Sequence, residues 1–216
     1  MTGENNWLAT EAGHSLMVQS TLQAMPWVWP LCGHNALVLQ PKMAGNIKPQ
    51  LQCTPSFHLQ YGQQNFTGDF ISDESRLPLV NECMALVYAQ FVLELSSNRL
   101  QLIAEIERIL VAEGYLALFC LNPYSLCGVS GKWRNLQIEH NDYWSSLMLN
   151  AGFEICRSET IGPYWPSKTM SSSDKIIRRP GLFRSTNFIL ARKRKSALTP
   201  LRKSANAVAL AREKIT

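Results

Sequence analysis

Apolar positions along the chain fall into two periods, one helical and one extended. Between residues 10 and 25, Leu16, Met17, Ser20 and Ala24 share a helical face. Thr10 stands as N-cap, Glu11 in the first turn and Pro26 as the stop, so the spacing predicts a helix packing on a sheet. After W-V-W-P-L comes a short apolar strand, Ala36–Leu39, closed by Gln40-Pro41. Residues 41–55, rich in Pro, Gly, Lys and Gln, read as loop. Ser56–Gln60 and the alternating Asn65–Ser72 predict two further strands.

The clearest unit spans Asp73 to Asn122. An apolar strand over 84–89 is followed by a helix capped by Ser96 or Ser97, then by a second apolar strand, Y-L-A-L-F-C-L-N, ending at Asn122. Leu100, Ile103, Ile106 and Leu110 recur at helical spacing, while Glu105, Glu107 and Arg108 face water. Gly114 stands where a left-handed residue would close that helix. Parallel strands joined by a helical crossover are the economical arrangement, which sets the fold class as α/β. A further helix over 141–150 precedes A-G-F-E-I, and a last strand, Asn187–Ala191, precedes the basic run Arg192–Lys195. Residues 166–181 read as loop, and there is no internal repeat.

Composition narrows the class. At 216 residues, 46% apolar and 17% charged, the chain fits one globular domain over 1–195 with a basic tail over 196–216. The absence of an 18-residue apolar run, and of a basic-then-apolar leader, predicts a cytoplasmic protein with no membrane span. Six cysteines without a C-x-x-C pair read as reduced thiols, and the four histidines show no ligand spacing, so no metal is expected. Residues 1–174 hold nine basic against fifteen acidic residues, a net −6; residues 175–216 hold twelve against one, a net +11. That asymmetry admits a nucleic-acid contact through residues 192–214, although the tail lacks the interleaved aromatics of a stacking platform.

The ordered set D-E-S-R-L-P-L (73–79), L-V-Y-A-Q-F-V-L-E (86–94), I-L-V-A-E-G-Y-L (109–116), L-N-P-Y-S-L (121–126), A-G-F-E (151–154) and A-R-K-R (191–194) resembles the class I S-adenosylmethionine-dependent methyltransferases, in particular the bacterial methyltransferase type 11 group. The resemblance covers about residues 7 to 203. It implies a Rossmann-like class I methyltransferase fold: a mostly parallel sheet with a terminal antiparallel hairpin and helices on both faces. It also implies S-adenosyl-L-methionine as cofactor, bound at the carboxyl ends of strands one, two and four, and a methyl acceptor whose identity it leaves open.

Carried over residue by residue, the resemblance makes Asp73 the acid that accepts from the adenine amine. Gln90 and Phe91 fall along the methionine part of the cofactor, and Leu39, Gln40 and Gly45 in the turn after strand one. Relatives place an acid and a G-x-G turn there, where this chain reads L-Q-P-K-M-A-G-N (39–46). Relatives end strand two with a carboxylate on the ribose hydroxyls; here Gln60 or Tyr61 takes that place. Exchanging two charge-assisted bonds for one neutral bond weakens binding by roughly 2–5 kcal/mol, or about 30- to 5,000-fold. Two readings therefore stay open: a methyltransferase with a degenerate glycine loop, or a catalytically silent methyltransferase fold serving as an interaction module. Tyr124, Tyr143 and His140 are unranked candidates for a general base; Asn122-Pro123 reads as a strand terminus and turn, and Glu94 as a first-turn helix acid.

Overall fold

A computed structural model describes residues 7–42, 47–131, 133, 136–166 and 181–194. Four helices and eight strands follow one another as α1 (Glu11–Val28), β1 (His34–Pro41), β2 (Thr54–Gly62), β3 (Asn65–Gly68), β4 (Ser72–Asp73), β5 (Met84–Gln90), α2 (Arg99–Ile109), β6 (Leu110–Leu121), α3 (Leu126–Val129), α4 (Asn141–Asn150), β7 (Phe153–Ile161) and β8 (Thr186–Lys193). All eight strands form one sheet in the order β4-β3-β2-β1-β5-β6-β8-β7. The centre, β2-β1-β5-β6, is parallel; β8 runs antiparallel to both β6 and β7. The expected parallel core, terminal antiparallel hairpin and helix-covered faces are all present.

Alternation along each strand sorts the core into two layers. Leu37, Leu39, Val87, Ala89, Leu116 and Leu118 face α2 and α4, where Ile103, Ile106, Trp144 and Met148 complete the layer. Val38, Leu86, Tyr88, Ala117 and Phe119 face α1, against Leu16, Met17 and Ala24. Thr10 caps α1 as expected, its Oγ1 accepting from the Gly13 amide at 3.3 Å.

Several expected boundaries move. Helix α1 runs through Pro26 to Val28, because the proline ring lies on the exposed side while Trp27 stacks on Phe188 at 5.5 Å and Val28 is buried. The cap of α2 is Asn98, whose side chain accepts from Gln101, rather than Ser96 or Ser97. Leu100 is exposed, and Leu102, Ile103, Ile106 and Ile109 form the buried stripe. Gly114 lies inside β6, since the chain turns extended at Leu110. The left-handed residue is Glu113, with φ of 63°. A Cβ on Gly114 would come within 2.9 Å of the Val111 carbonyl, so the glycine serves a close approach beside a register shift between β5 and β6. The alternating stretch 65–72 is two strands: β3 turns back antiparallel on β2, and β4 is an outer edge of two residues.

Candidate functional site

Open α/β sheets bind ligands where the strand order reverses, outside the carboxyl ends of the strands. Here the reversal lies between β1 and β5, since the chain runs outward from β1 to β2 on one side and from β5 to β6 on the other. The register places Gln40 opposite Gln60, and Leu39 opposite Ala89, so Gln60, Gln40 and Gln90 form one row of amides across β2, β1 and β5. Gln40 is 5% exposed and Gln90 fully buried. Gln40 Nε2 donates to Gln90 Oε1 at 2.9 Å. Gln90 Nε2 donates in turn to the Met17 carbonyl at 3.0 Å and to Thr21 Oγ1 at 3.2 Å on the underside of α1. Thr21 Oγ1 also lies 2.7 Å from the Tyr88 hydroxyl, whose acidity burial suppresses. The network is continuous from the strand ends into the helix.

The next residue, Phe91, has φ of 52° and a ring buried on the α1 face. Left-handed backbone at a bulky residue costs about 1–2 kcal/mol and concentrates at functional positions. Phe91 therefore marks the end of β5 as a shaped turn rather than a passive one.

The described start of the turn after β1 offers little backbone. Strand β1 extends through Pro41, which has no amide to give, and the Lys42 amide is spent on the Tyr61 carbonyl at 2.8 Å. Gly45 lies outside the described residues. The described part of the β1–β2 connection holds no helix.

Asp73 sits elsewhere. Insertion of β3 puts it on β4, three strand spacings from β1, or about 14 Å across the sheet. It is exposed, and its Oδ1 accepts from the Ser75 amide at 2.7 Å, an interaction that lowers its pKa from the ordinary value. The neighbouring Glu74 is the carboxylate that turns inward: its Oε2 accepts from Tyr61 at 2.7 Å, from Ser96 at 2.9 Å and from the Ser97 amide at 3.2 Å. Burial first, and the bond to Glu74 second, hold the Tyr61 phenol protonated. Of the sequence candidates, Leu39, Gln40, Gln60, Gln90 and Phe91 converge at the switch point, and Asp73 does not.

Glu94 is the residue that sequence reasoning misplaced. It precedes α2, outside any helix, and is fully buried within the apolar run F-V-L-E-L. Its Oε1 accepts from the Leu121 amide at 2.5 Å, and its Oε2 has no hydrogen-bond partner. Burial pushes its pKa from the ordinary 4.5 up to about 7, against the opposing pull of the Leu121 amide and Arg99. A lone carboxylate among four apolar positions was the available signal. Arg99 lies close by, giving Nε to the Leu93 carbonyl, Nη1 to Glu139 and Nη2 to the Gln137 carbonyl, with its guanidinium 5.2 Å from the Trp144 ring.

Beyond β6, Asn122 is buried and donates to the carbonyls of Leu182 and Arg184, both at 2.7 Å. Tyr124 packs on His140 with ring centroids 5.0 Å apart, and Tyr143 packs on Trp144. The basic run is engaged by acids: Arg192 pairs with Glu113 and Glu154, Lys193 with Glu107, and Arg194 with Glu154. Residues 195–216 lie outside the described part of the chain.

No family model matches the chain, and no curated protein matches it by sequence. Solved structures do. A Haloferax volcanii protein assigned as a methyltransferase, in complex with the Trm112 methyltransferase activator, aligns over 88% of this chain and 95% of its own, with a TM-score of 0.61 and 15% identity. The fold is that of the S-adenosylmethionine-dependent methyltransferases. One such methyltransferase from Thermotoga maritima aligns over 87% of this chain and 93% of its own, with a TM-score of 0.59 and 15% identity. The 4+2 cyclase SpnF aligns over 81% and 80%, with a TM-score of 0.52 and 16% identity, so the methyltransferase fold extends to a protein described by another reaction. Within this methyltransferase fold, the amide row stands at the carboxyl ends of β2, β1 and β5. Among the described residues no helix is long and apolar enough to cross a membrane.

Proposed function

We propose that the chain transfers a methyl group from S-adenosyl-L-methionine to an acceptor, with the cofactor seated at the carboxyl ends of β1 and β5. One observation carries this reading: a buried amide pair, Gln40 and Gln90, ending in the left-handed Phe91, occupies the switch point of the sheet. Apolar side chains would fill that place without the need for a satisfied polar network, and ligand sites are where such networks and strained turns collect.

The residues fit the cofactor by hydrogen bonding rather than by charge. Gln60 and Gln40 would offer amide groups to hydroxyls, and Gln90, whose Nε2 is spent on α1, an amide oxygen to the methionine portion. The cofactor, when bound, supplies an electrophilic methyl on a sulfonium; its transfer needs in-line positioning more than an acid–base pair. The chain's part is to orient the acceptor, to exclude water and to hold the methionine portion through Gln90. With neutral partners in place of carboxylates, affinity falls in the high-micromolar to millimolar range.

Isothermal titration with S-adenosylmethionine and S-adenosylhomocysteine, up to millimolar concentration on protein shown to be folded, tests the reading. Weak saturable heat that disappears in Gln90→Leu supports it. No heat at millimolar ligand removes it.

A second reading is favoured by a specific observation. The two bonds given by Gln90 Nε2 both go to α1, and Asp73 is spent on its own turn at the sheet edge. That closure suits a methyltransferase fold kept as an interaction module. Under it, Gln60→Asp gains no cofactor affinity; a gain where the wild type has none would trace the loss to that single carboxylate.

A further inference from the structure

Two of the six thiols meet at the amino end of the sheet. Cys32 is exposed in the connection between α1 and β1, and Cys53 is buried immediately before β2; both are free. Parallel register brings them together. His34 stands opposite Thr54, so the residues that lead into the two strands run side by side. Neighbouring strands lie about 4.8 Å apart, and an offset of one residue adds about 3.3 Å along the chain, which puts the two Cα atoms on the order of 6 Å apart. Disulfides span about 4.4–6.8 Å between Cα atoms.

The Cys53 side chain is aimed at this neighbour. Its Sγ donates to the Leu31 carbonyl at 3.6 Å. That carbonyl belongs to the peptide joining Leu31 to Cys32, and in a trans peptide its oxygen lies about 2.8 Å from the next Cα. The Cys53 sulfur is therefore within about 6.5 Å of the Cys32 Cα. Burial first, and the nearby Cys32 thiol second, raise the Cys53 pKa, as expected of two sulfurs within electrostatic reach. Between them the chain leaves β1 at Pro41 and returns to the amino end of β2, where Ile47, Leu51 and Cys53 pack into the layer under α1.

We propose that Cys32 and Cys53 are a modification site, forming a reversible disulfide under peroxide that fastens the returning segment to the α1–β1 connection. The exposed Cys32 reacts first. Its thiolate attacks a peroxide oxygen, the O–O bond breaks, and the sulfur is oxidised to a sulfenic acid while the departing hydroxide takes up the thiol's proton as water. The Cys53 sulfur then attacks the Cys32 sulfur; the S–S bond forms as the S–O bond breaks, and the Cys53 proton leaves in a second water. Two thiols and one hydrogen peroxide thus give one disulfide and two waters, and a dithiol reductant reverses the bond. Burial assigns Cys53 the second step, because it is shielded from peroxide. The inference is independent of methyl transfer and stands equally for a cofactor-free fold.

The test is hydrogen peroxide treatment of the folded, reduced full-length protein, followed by alkylation of the remaining thiols and peptide mass mapping without reduction. A Cys32–Cys53 cross-linked peptide that dithiothreitol removes is expected as the main product. Closing a loop of roughly 20 residues should raise Tm by about 5–10 °C. Cys53→Ala removes the partner and should carry Cys32 on to sulfinic acid. Cys32→Ser, at an exposed position, should fold and leave Cys53 unoxidised at the same dose. Cys32 ending as sulfinic acid in the wild type overturns the proposal. So does linkage of Cys32 to Cys156 or to a second copy of the chain, a Cys32–Cys53 bond that forms only in denaturant, or a Tm that oxidation leaves unchanged.

Discussion

Replacing Glu94 by Gln is expected to abolish a pH dependence of stability that the wild type carries. The folded chain buries this carboxyl completely, and burial raises its pKa from the ordinary 4.5 to about 7. Because the folded value lies above the unfolded one, the folded state holds the proton more tightly. The stabilisation is fully present below pH 4.5, is lost progressively as pH rises from 4.5 to about 7, and stays lost above that. At about 1.4 kcal/mol per pH unit, the loss across that interval comes to about 3 kcal/mol. Glutamine keeps an oxygen to accept from the Leu121 amide and carries no charge to desolvate. Urea denaturation of both proteins at several pH values between 5 and 8 reads the difference directly. The variant should gain on the wild type by up to about 3 kcal/mol between the acid and alkaline ends. A stability difference that stays constant across that range would refute the assignment of a raised pKa to Glu94.

Two further outcomes follow from the α1 face. Gln90→Leu strands the Met17 carbonyl, Thr21 and Gln40, and should lower unfolding free energy by about 1–3 kcal/mol in denaturant titration. A neutral effect would mean that the amide network contributes nothing to folding. Thr10→Ala removes the cap of α1 and should cost about 1 kcal/mol, while Thr10→Ser should restore most of it; equal loss in both would exclude capping as the cause.

The order of elements was legible in the sequence because periodicity is a local property. The strand at 84–89, the helix carrying Ile103 and Ile106, the second strand ending at Leu121 and the helix over 141–150 each follow from their own spacing. Boundaries went astray where distant contacts override local preference. Pro26 stays within α1 because Trp27 and Val28 pack on the sheet. Gly114 belongs to a strand because β5 lies alongside it. Of the candidate site, the strand-end position of Gln40, Gln60 and Gln90 was legible, since parallel register carries one residue from each strand to the same end.

By itself, then, the sequence determined the α/β class, the element order and the residues that terminate the central strands, since each is written in a window of a few residues. Only the tertiary structure decided which carboxylates matter. Asp73 and Glu74 are neighbours in sequence, yet the antiparallel β3 sends the first to the exposed rim and turns the second onto Tyr61 and Ser96. Glu94 looks like an ordinary helix-start acid until the folded chain surrounds it with apolar side chains and changes its proton affinity. Burial and proximity across the sheet are properties of the packed molecule, and no local window contains them.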